Sequence, residues 1–306
     1  MMYPAMLLAM GLAMLLWRPC RTREGRAPRA AIILLMASAA AVWLGSFGLV
    51  VSIVAGHNGR VLAACGAAWQ KIVLGEAGLW QSGLLLAWIV ALPVRGVWTT
   101  AGHIVASQRL LRRLAPLTTG DAVVRGSGTG LLVPGLTTPA VTLGLLRPVV
   151  LVDVTFWSSA TTTERAIVLA HEDAHRGGHH GLVDALVGVL TAGLSPLPAA
   201  GEAFACVRRH LEALADDVAA RRHGPQTVGV TLGRVALGAA PAGGLGAAGS
   251  ALWRVHRLVA PNRSSSWRDR GLLGANVLLM VVGLVVVAAD TAQALSPLVN
   301  PQFCPL

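Results

Sequence analysis

Long, uninterrupted apolar segments are the feature that most restricts how this chain can fold. A helix needs about 20 residues to cross a hydrocarbon core of about 30 Å, and four segments approach that length: roughly 2–17, 31–55, 78–98 and 271–290. Hydrophobic residues make up 54% of the 306 and charged residues only 13%, against roughly a quarter charged in soluble domains. The sequence therefore predicts a mainly α-helical integral membrane protein with about four transmembrane helices.

Arginine placement predicts how these segments are oriented, because basic residues collect on the cytoplasmic side of a membrane. Five arginines follow the first segment and five precede the fourth, whereas no basic residue follows the fourth. We therefore expect a multi-pass protein of the cell membrane, with residues from about 100 to 270 in the cytoplasm and both termini outside. The first segment has no basic residues before it and no convincing cleavage site, which favours a retained span over a signal peptide.

The net charge of +11 raises the question of a nucleic-acid partner. The basic residues lie at the ends of the apolar segments and are not interleaved with aromatic side chains, unlike those of nucleic-acid-binding surfaces. Attraction to anionic lipid explains the same charge. The sequence therefore predicts the lipid bilayer as a partner and no nucleic acid.

The composition divides the chain into four regions. These are three transmembrane helices in 1–100, a cytoplasmic domain in 101–236, a Gly/Ala-rich and basic linker in 237–270 whose part 237–250 is expected to be flexible, and a last transmembrane helix with a short tail in 271–306. Inside the cytoplasmic domain, β-branched runs in 138–153 are interrupted by Gly144 and Pro148, which predicts a hairpin or two short strands. The apolar run at 181–198 predicts a buried or membrane-grazing helix, with a re-entrant or spanning segment as the alternative.

Two further helices are predicted in the cytoplasmic domain. The first covers about 162–176, because Thr161 stands three residues before Glu164 in a capping-box pattern and a pair of glycines follows the apolar periodicity. The second covers 203–224, where helical spacing ends at Gly224. Three of the six glutamates of the chain lie in these two helices, namely Glu164, Glu172 and Glu212.

The first helix contains the stretch VLAHEDAHRGGHH, residues 168–180. His171 and His175 are four residues apart, so their imidazoles lie on one face and can share one ion. Glu172 lies beside that face. In this HExxH arrangement two neutral imidazoles bind zinc and the glutamate acts as a general base.

A catalytic zinc site needs a third ligand, and the second helix offers Glu212 in the run EALAD. A carboxylate oxygen completes a His-His-Glu set and leaves a fourth position open. Asp216 is four residues further on and faces the same way, so it is placed to accept the N–H of a ligating imidazole, most simply that of His171. The alternative is that both carboxylates pair on a solvated face with nearby arginines, namely Arg208, Arg209 and Arg221.

HEDAH, followed some forty residues later by ExxAD and set among apolar segments, resembles the membrane metallopeptidases of the β-lactam sensor-transducer (BlaR/MecR) type. The likeness is to short, actinobacterial-type members without a penicillin-binding sensor domain, and more distantly to the Ste24/HtpX proteases. It implies a gluzincin-like α+β zinc peptidase domain inserted between transmembrane helices, one zinc ion held by His171, His175 and Glu212, and Glu172 as the base. It also implies that residues 147–153 form an edge strand that aligns the substrate.

The sequence departs from that family after the zinc motif. Many relatives have an arginine-rich stretch that ends in aspartate, whereas this chain has His179 and His180. We interpret these histidines as polar residues that cap or follow the helix, with an accessory metal contact as the alternative. For the oxyanion of the transition state, the candidate donors are His256 and His223, against a simple surface position for each.

The expected function is that of a membrane-bound zinc endopeptidase, whose substrate is a cytoplasmic or membrane-proximal protein. The family implies a regulator such as a repressor as that substrate. The alternative is a noncatalytic membrane sensor or scaffold that binds zinc at a degenerate site. Glu172 argues against the alternative, because a site that only binds metal has no chemical need for a base.

Overall fold

A computed structural model describes residues 2–16, 28–57, 79–114, 130–194, 198–239 and 245–259, together with 271, 274–275, 277–286 and 288–289. The described chain is mostly helical with one small sheet, which confirms the mainly α prediction. Of the regions predicted as transmembrane, the fourth is described only in part.

The N-terminal region consists of α1 (Met2–Leu16), α2 (Pro28–His57) and α3 (Leu79–Leu114). The first two helices pack closely at Gly11, where a Cβ would lie 2.9 Å from the backbone nitrogen of Val42. Among the described residues, Pro28–Gly48 is the one helical segment long and apolar enough to cross a membrane, and a signal sequence has the same character. The other three spans stay predictions.

The sheet contains β1 (Leu131–Val133), β2 (Ala140–Leu143) and β3 (Val149–Asp153) in the order β1-β3-β2. Strands β2 and β3 pair antiparallel and form the predicted hairpin. Gly144 follows the last residue of β2 and has a φ of +111°. Strand β1 pairs parallel with β3 and was not predicted. The prediction that 147–153 forms an edge strand is wrong, because β1 and β2 already occupy both sides of β3.

Three helices follow the sheet: α4 (Val154–Ser159), α5 (Thr162–Gly177) and α6 (His180–Gly193). Helix α5 begins with the predicted capping box, in which Thr161 and Glu164 each accept the backbone N–H of the other. Helix α6 is the apolar helix predicted at 181–198. Its 14 residues extend about 21 Å, too short to span a membrane, and they pack against α2, α3 and α7.

Helix α7 (Pro198–His223) packs against the N-terminal helices with its first half and against α5, which carries the HExxH motif, with its second half. It begins earlier than predicted and stops before Gly224, which has a φ of +85°. Its first half buries Val207 in the core shared with α2 and α6. Its second half packs against α5 through Ala219, which is fully buried.

Helices α8 (Pro225–Ala239) and α9 (Leu245–Val259) pack against each other and against α7. The prediction of a flexible segment at 237–250 is wrong for 245–250, because these residues begin α9, whose last turn buries Leu258 against Ile167 and Ala219. The short apolar helix α10 (Val277–Val286) lies within the predicted fourth span.

Candidate metal centre

The three predicted metal ligands meet where α5 packs against α7. His171 and His175 come from consecutive turns of α5, and their Nε2 atoms are 3.2 Å apart. Glu212 reaches across from α7, with one oxygen 3.4 Å from His171 Nε2 and the other 3.4 Å from His175 Nε2. The histidine side chains are 11% and 16% exposed and that of Glu212 is 38% exposed. The cluster is therefore sheltered but open to solvent on the glutamate side.

Each ligand histidine turns its other ring nitrogen toward a different partner. His171 Nδ1 lies 3.1 Å from a carboxylate oxygen of Asp216. His175 Nδ1 lies 2.9 Å from Nδ1 of His180, the first residue of α6. Because both Nδ1 atoms have partners of their own, the Nε2 atoms of the two rings are the ones that face each other at 3.2 Å.

Arg254 of α9, which was not predicted from the sequence, also belongs to the centre. Its Nε lies 2.8 Å and its Nη2 2.6 Å from the two oxygens of Asp216. Its Nη1 lies 2.9 Å from Glu212. Arg254 lies in the run WRVHR, in which only His256 was predicted to have a role, as an oxyanion donor.

The pKa values of these groups reflect their mutual contacts. Burial lowers the pKa of His171, but hydrogen bonds to Asp216 and Glu212 outweigh it and raise the value to about 9. Burial and the nearby His171 lower the pKa of His175 to about 4. Burial opposes ionisation of Glu212, yet contacts with His171 and Arg254 lower its pKa to about 2. Burial opposes ionisation of Asp216 as well, but contacts with Arg254 and His171 outweigh it and hold the pKa of Asp216 below its usual range.

Glu172, the predicted base, is 9% exposed. Thr142 of β2 donates a hydrogen bond of 2.6 Å to its Oε2, a contact over thirty residues that the sequence analysis missed. Burial raises the pKa of Glu172, and the charge of His171 and the Thr142 hydrogen bond offset only part of that rise. A carboxylate with a raised pKa is suited to accept a proton in a reaction near neutral pH.

The structure brings neither predicted oxyanion donor to the ligands. His223 is the last residue of α7, about 16 Å along the helix axis from Glu212. His256 is exposed and lies two residues from Arg254, so it points to the opposite side of α9. His256 therefore matches the surface alternative, whereas His223 is half-buried.

The two histidines after the zinc motif have different environments. His179 is exposed and takes the N-cap position of α6 in a left-handed conformation (φ 48°), without a side-chain capping bond. His180 is 9% exposed. Burial and the neighbouring His175 lower the pKa of His180 to about 4, so its ring is neutral at neutral pH. His180 thus follows the helix, as one part of the interpretation had it, and its ring also contacts a predicted ligand.

The charges around the ligands favour a divalent cation. Glu172, Glu212 and Asp216 together bring three negative charges when ionised, Arg254 brings one positive charge, and a metal-binding His171 is neutral and adds none. The remaining charge of minus two matches the charge of one divalent ion. Imidazole nitrogens and carboxylate oxygens are common ligands of such metals. His171, His175 and Glu212 each offer one such atom, and these three atoms lie within 4.8 Å of one another. The group can therefore hold one metal ion.

Comparison with protein-family models, with curated proteins and with solved structures finds no match to this chain. The resemblance to membrane metallopeptidases therefore depends on the motif residues themselves. What the structure adds to the motif is the meeting of four helices and one strand around it.

Proposed function

We propose that this chain is a membrane-bound zinc-dependent endopeptidase that hydrolyses peptide bonds of a cytoplasmic or membrane-proximal protein. The observation that carries the proposal is the meeting of His171, His175 and Glu212, with Glu172 directly beside them. The resemblance to the BlaR/MecR type supports the same reaction and makes a repressor-type regulator the proposed substrate.

The donor atoms fit a zinc ion. Ligand atoms around a tetrahedral zinc are about 3.3 Å apart, given bonds of about 2.0–2.1 Å. The three shortest distances between the ligand side chains are 3.2, 3.4 and 3.4 Å, the last two to different oxygens of Glu212. Two histidines and one glutamate with an open fourth position form the ligand set of catalytic sites. When bound, the ion supplies a Lewis acid that polarises a carbonyl and acidifies a water molecule.

Glu172 and Arg254 supply the remaining chemistry in this proposal. Glu172 accepts a proton from water as the new carbon–oxygen bond forms, and it delivers that proton to the amine as the carbon–nitrogen bond breaks. Thr142 holds the carboxylate in position for both transfers. Arg254 lies 2.9 Å from Glu212, so we assign it, in place of His223 and His256, to stabilise negative charge on the carbonyl oxygen.

Strand β2 is the proposed platform for the substrate. Within the described residues it pairs with β3 along one edge only, so its other edge can hydrogen-bond to an extended peptide. Thr142 lies in β2 and contacts Glu172. A peptide chain added to that edge would therefore pass directly beside the base.

We also propose that the chain crosses the membrane several times, with the metal centre in the cytoplasm and both termini outside. The arginine distribution supports this orientation. Helix α3 leaves large apolar side chains exposed, namely Val90, Val94, Val97 and Trp98. Helix α10 likewise exposes Leu278, Leu279, Val282 and Val285. Lipid would cover these surfaces.

Reporter fusions test this topology. Alkaline phosphatase fused after Leu306 is expected to be active, because that enzyme folds only outside the cytoplasm, and green fluorescent protein at the same site is expected to be dark. The reverse pair of results would place the C-terminus inside and contradict the proposed orientation.

The test of the reaction combines zinc analysis of the purified protein with hydrolysis of casein. The Glu172→Gln variant is expected to keep its zinc and to lose activity about 10²–10⁴-fold, the usual contribution of a general base. Asp173→Asn is the matched control, since Asp173 is the next residue of α5 and pairs with Arg176 instead. Zinc-loaded native protein that cleaves nothing, or an active Glu172→Gln variant, would refute the peptidase proposal; the former result favours a zinc-binding sensor.

A further inference from the structure

His180 has no role in the function proposed above, yet it is buried and closely packed beside a predicted metal ligand. Its ring is buried at the start of α6 and packs edge-on against His175, with ring centroids 4.7 Å apart and planes 89° apart. A Cβ placed on Gly178 would lie 2.6 Å from its Nε2. The glycine between α5 and α6 therefore provides the space that the His180 ring occupies.

The hydrogen bond between the rings determines which nitrogens carry protons. His175 Nδ1 and His180 Nδ1 are 2.9 Å apart, so one of them donates and the other accepts. A metal-binding His175 uses its Nε2 lone pair and must carry its proton on Nδ1. His175 is then the donor, so His180 must accept with the lone pair of its Nδ1 and carry its own proton on Nε2.

We propose that His180 is a positioning residue for the metal, an uncharged acceptor that fixes the tautomer and the ring orientation of His175. Such partners of metal-ligating histidines are usually carboxylates, backbone carbonyls or water. The proposal rests on the metal site of the proposed function but not on peptide hydrolysis, because its consequence is a change in metal affinity.

The experiment measures zinc affinity by competition with a chromophoric chelator and counts imidazole ligands by X-ray absorption spectroscopy. His180→Leu and His180→Asn form a matched pair, since their side chains are similar in size and only Asn keeps an acceptor. We expect His180→Leu to bind zinc about 10–100-fold more weakly, and His180→Asn to recover most of that loss. Both variants should keep two imidazole ligands.

His179→Asn is the control, because His179 is exposed and Asn tolerates its left-handed conformation. It should bind zinc as the native chain does. If His180→Leu does not fold, as judged by circular dichroism, His180→Phe keeps the ring without the acceptor and takes its place in the comparison.

Three results would overturn the proposal. Equal zinc affinity in the Leu (or Phe) and Asn variants would mean that the acceptor does not matter, and affinity equal to that of the native chain would mean that His180 does not matter. Loss of one imidazole from the metal on substitution would make His180 a ligand rather than a positioning residue. In each case the native protein still binds zinc, whereas failure of the native protein to bind zinc refutes the proposed function itself.

Discussion

The two sides of the metal centre hold their histidines by opposite means. On the side of α7 and α9, His171 contacts a fully buried carboxylate, Asp216, which is in turn held by the guanidinium of Arg254. On the side of α6, His175 contacts the neutral ring of His180. A buried ion pair thus orients the ring of His171, whereas the lone pair of a neutral ring orients that of His175.

The difference shows what each solution requires from the fold. A buried carboxylate is costly unless a cation pairs with it, so the α7 side needs a third helix to bring Arg254 to Asp216. A neutral imidazole has no such requirement, and His180 reaches its partner over five residues of chain. We therefore expect breaking the ion pair on the charged side to destabilise the fold, and substitutions on the neutral side to change mainly the affinity for the metal.

The largest effect is expected from removal of a ligand that both sides share. Glu212 contacts both histidines, so Glu212→Ala should lose nearly all bound zinc on dialysis, as should His171→Ala. Elemental analysis of the purified variants measures this. Asp217→Asn, a change on the same helix at a carboxylate that pairs with Arg257, should retain zinc. Full zinc content in His171→Ala would contradict the assigned ligands.

The next effect concerns the buried ion pair. Arg254→Met removes the guanidinium that pairs with buried Asp216, and breaking a buried ion pair typically destabilises a protein by about 3 kcal/mol or more. Thermal unfolding of the zinc-free protein should show this loss. Arg208 makes the same bidentate contact with Asp184, but the side chain of Arg208 is 61% exposed. Arg208→Met should therefore change stability by about 0–1 kcal/mol. Similar unfolding temperatures for the two variants would mean that the Arg254 pair is not shielded from solvent.

Asp216→Asn tests the charge on this side without removing the acceptor. The amide keeps the size of the carboxylate but accepts the His171 N–H less strongly, so zinc affinity should fall about 10–100-fold in a chelator titration. Asp217→Asn again serves as the control, because the neighbouring side chain lies about 100° away around the helix. Native resistance to chelation in both variants would show that Asp216 does not tune the metal.

The smallest effect is expected at the turn on the neutral side. Gly178→Ala pushes a methyl group to within 2.6 Å of the His180 ring, whereas nothing lies within 4 Å of a Cβ on Gly177. Zinc affinity should fall about tenfold or less in Gly178→Ala and stay unchanged in Gly177→Ala. Equal affinity in these two variants would mean that the His180 ring moves without consequence for the metal.

Much of this centre was predictable because helix geometry is local. The spacing of His171 and His175, the capping box before them and the pairing of Glu212 with Asp216 on one face all follow from 3.6 residues per turn. The glycine after α7 likewise predicted where that helix ends. Short-range rules apply before the chain folds, so the sequence by itself determined the metal-binding faces of both helices.

Only the tertiary structure decided which other groups meet those faces. Arg254 contacts Asp216 across 38 residues and Thr142 contacts Glu172 across 30, and the run containing Arg254 was expected to be part of a linker. Strand β3 became central because β1, which has no strong sequence signal, pairs with its other side. These contacts depend on how helices and strands pack, and packing depends on the whole set of buried surfaces rather than on any local pattern of residues.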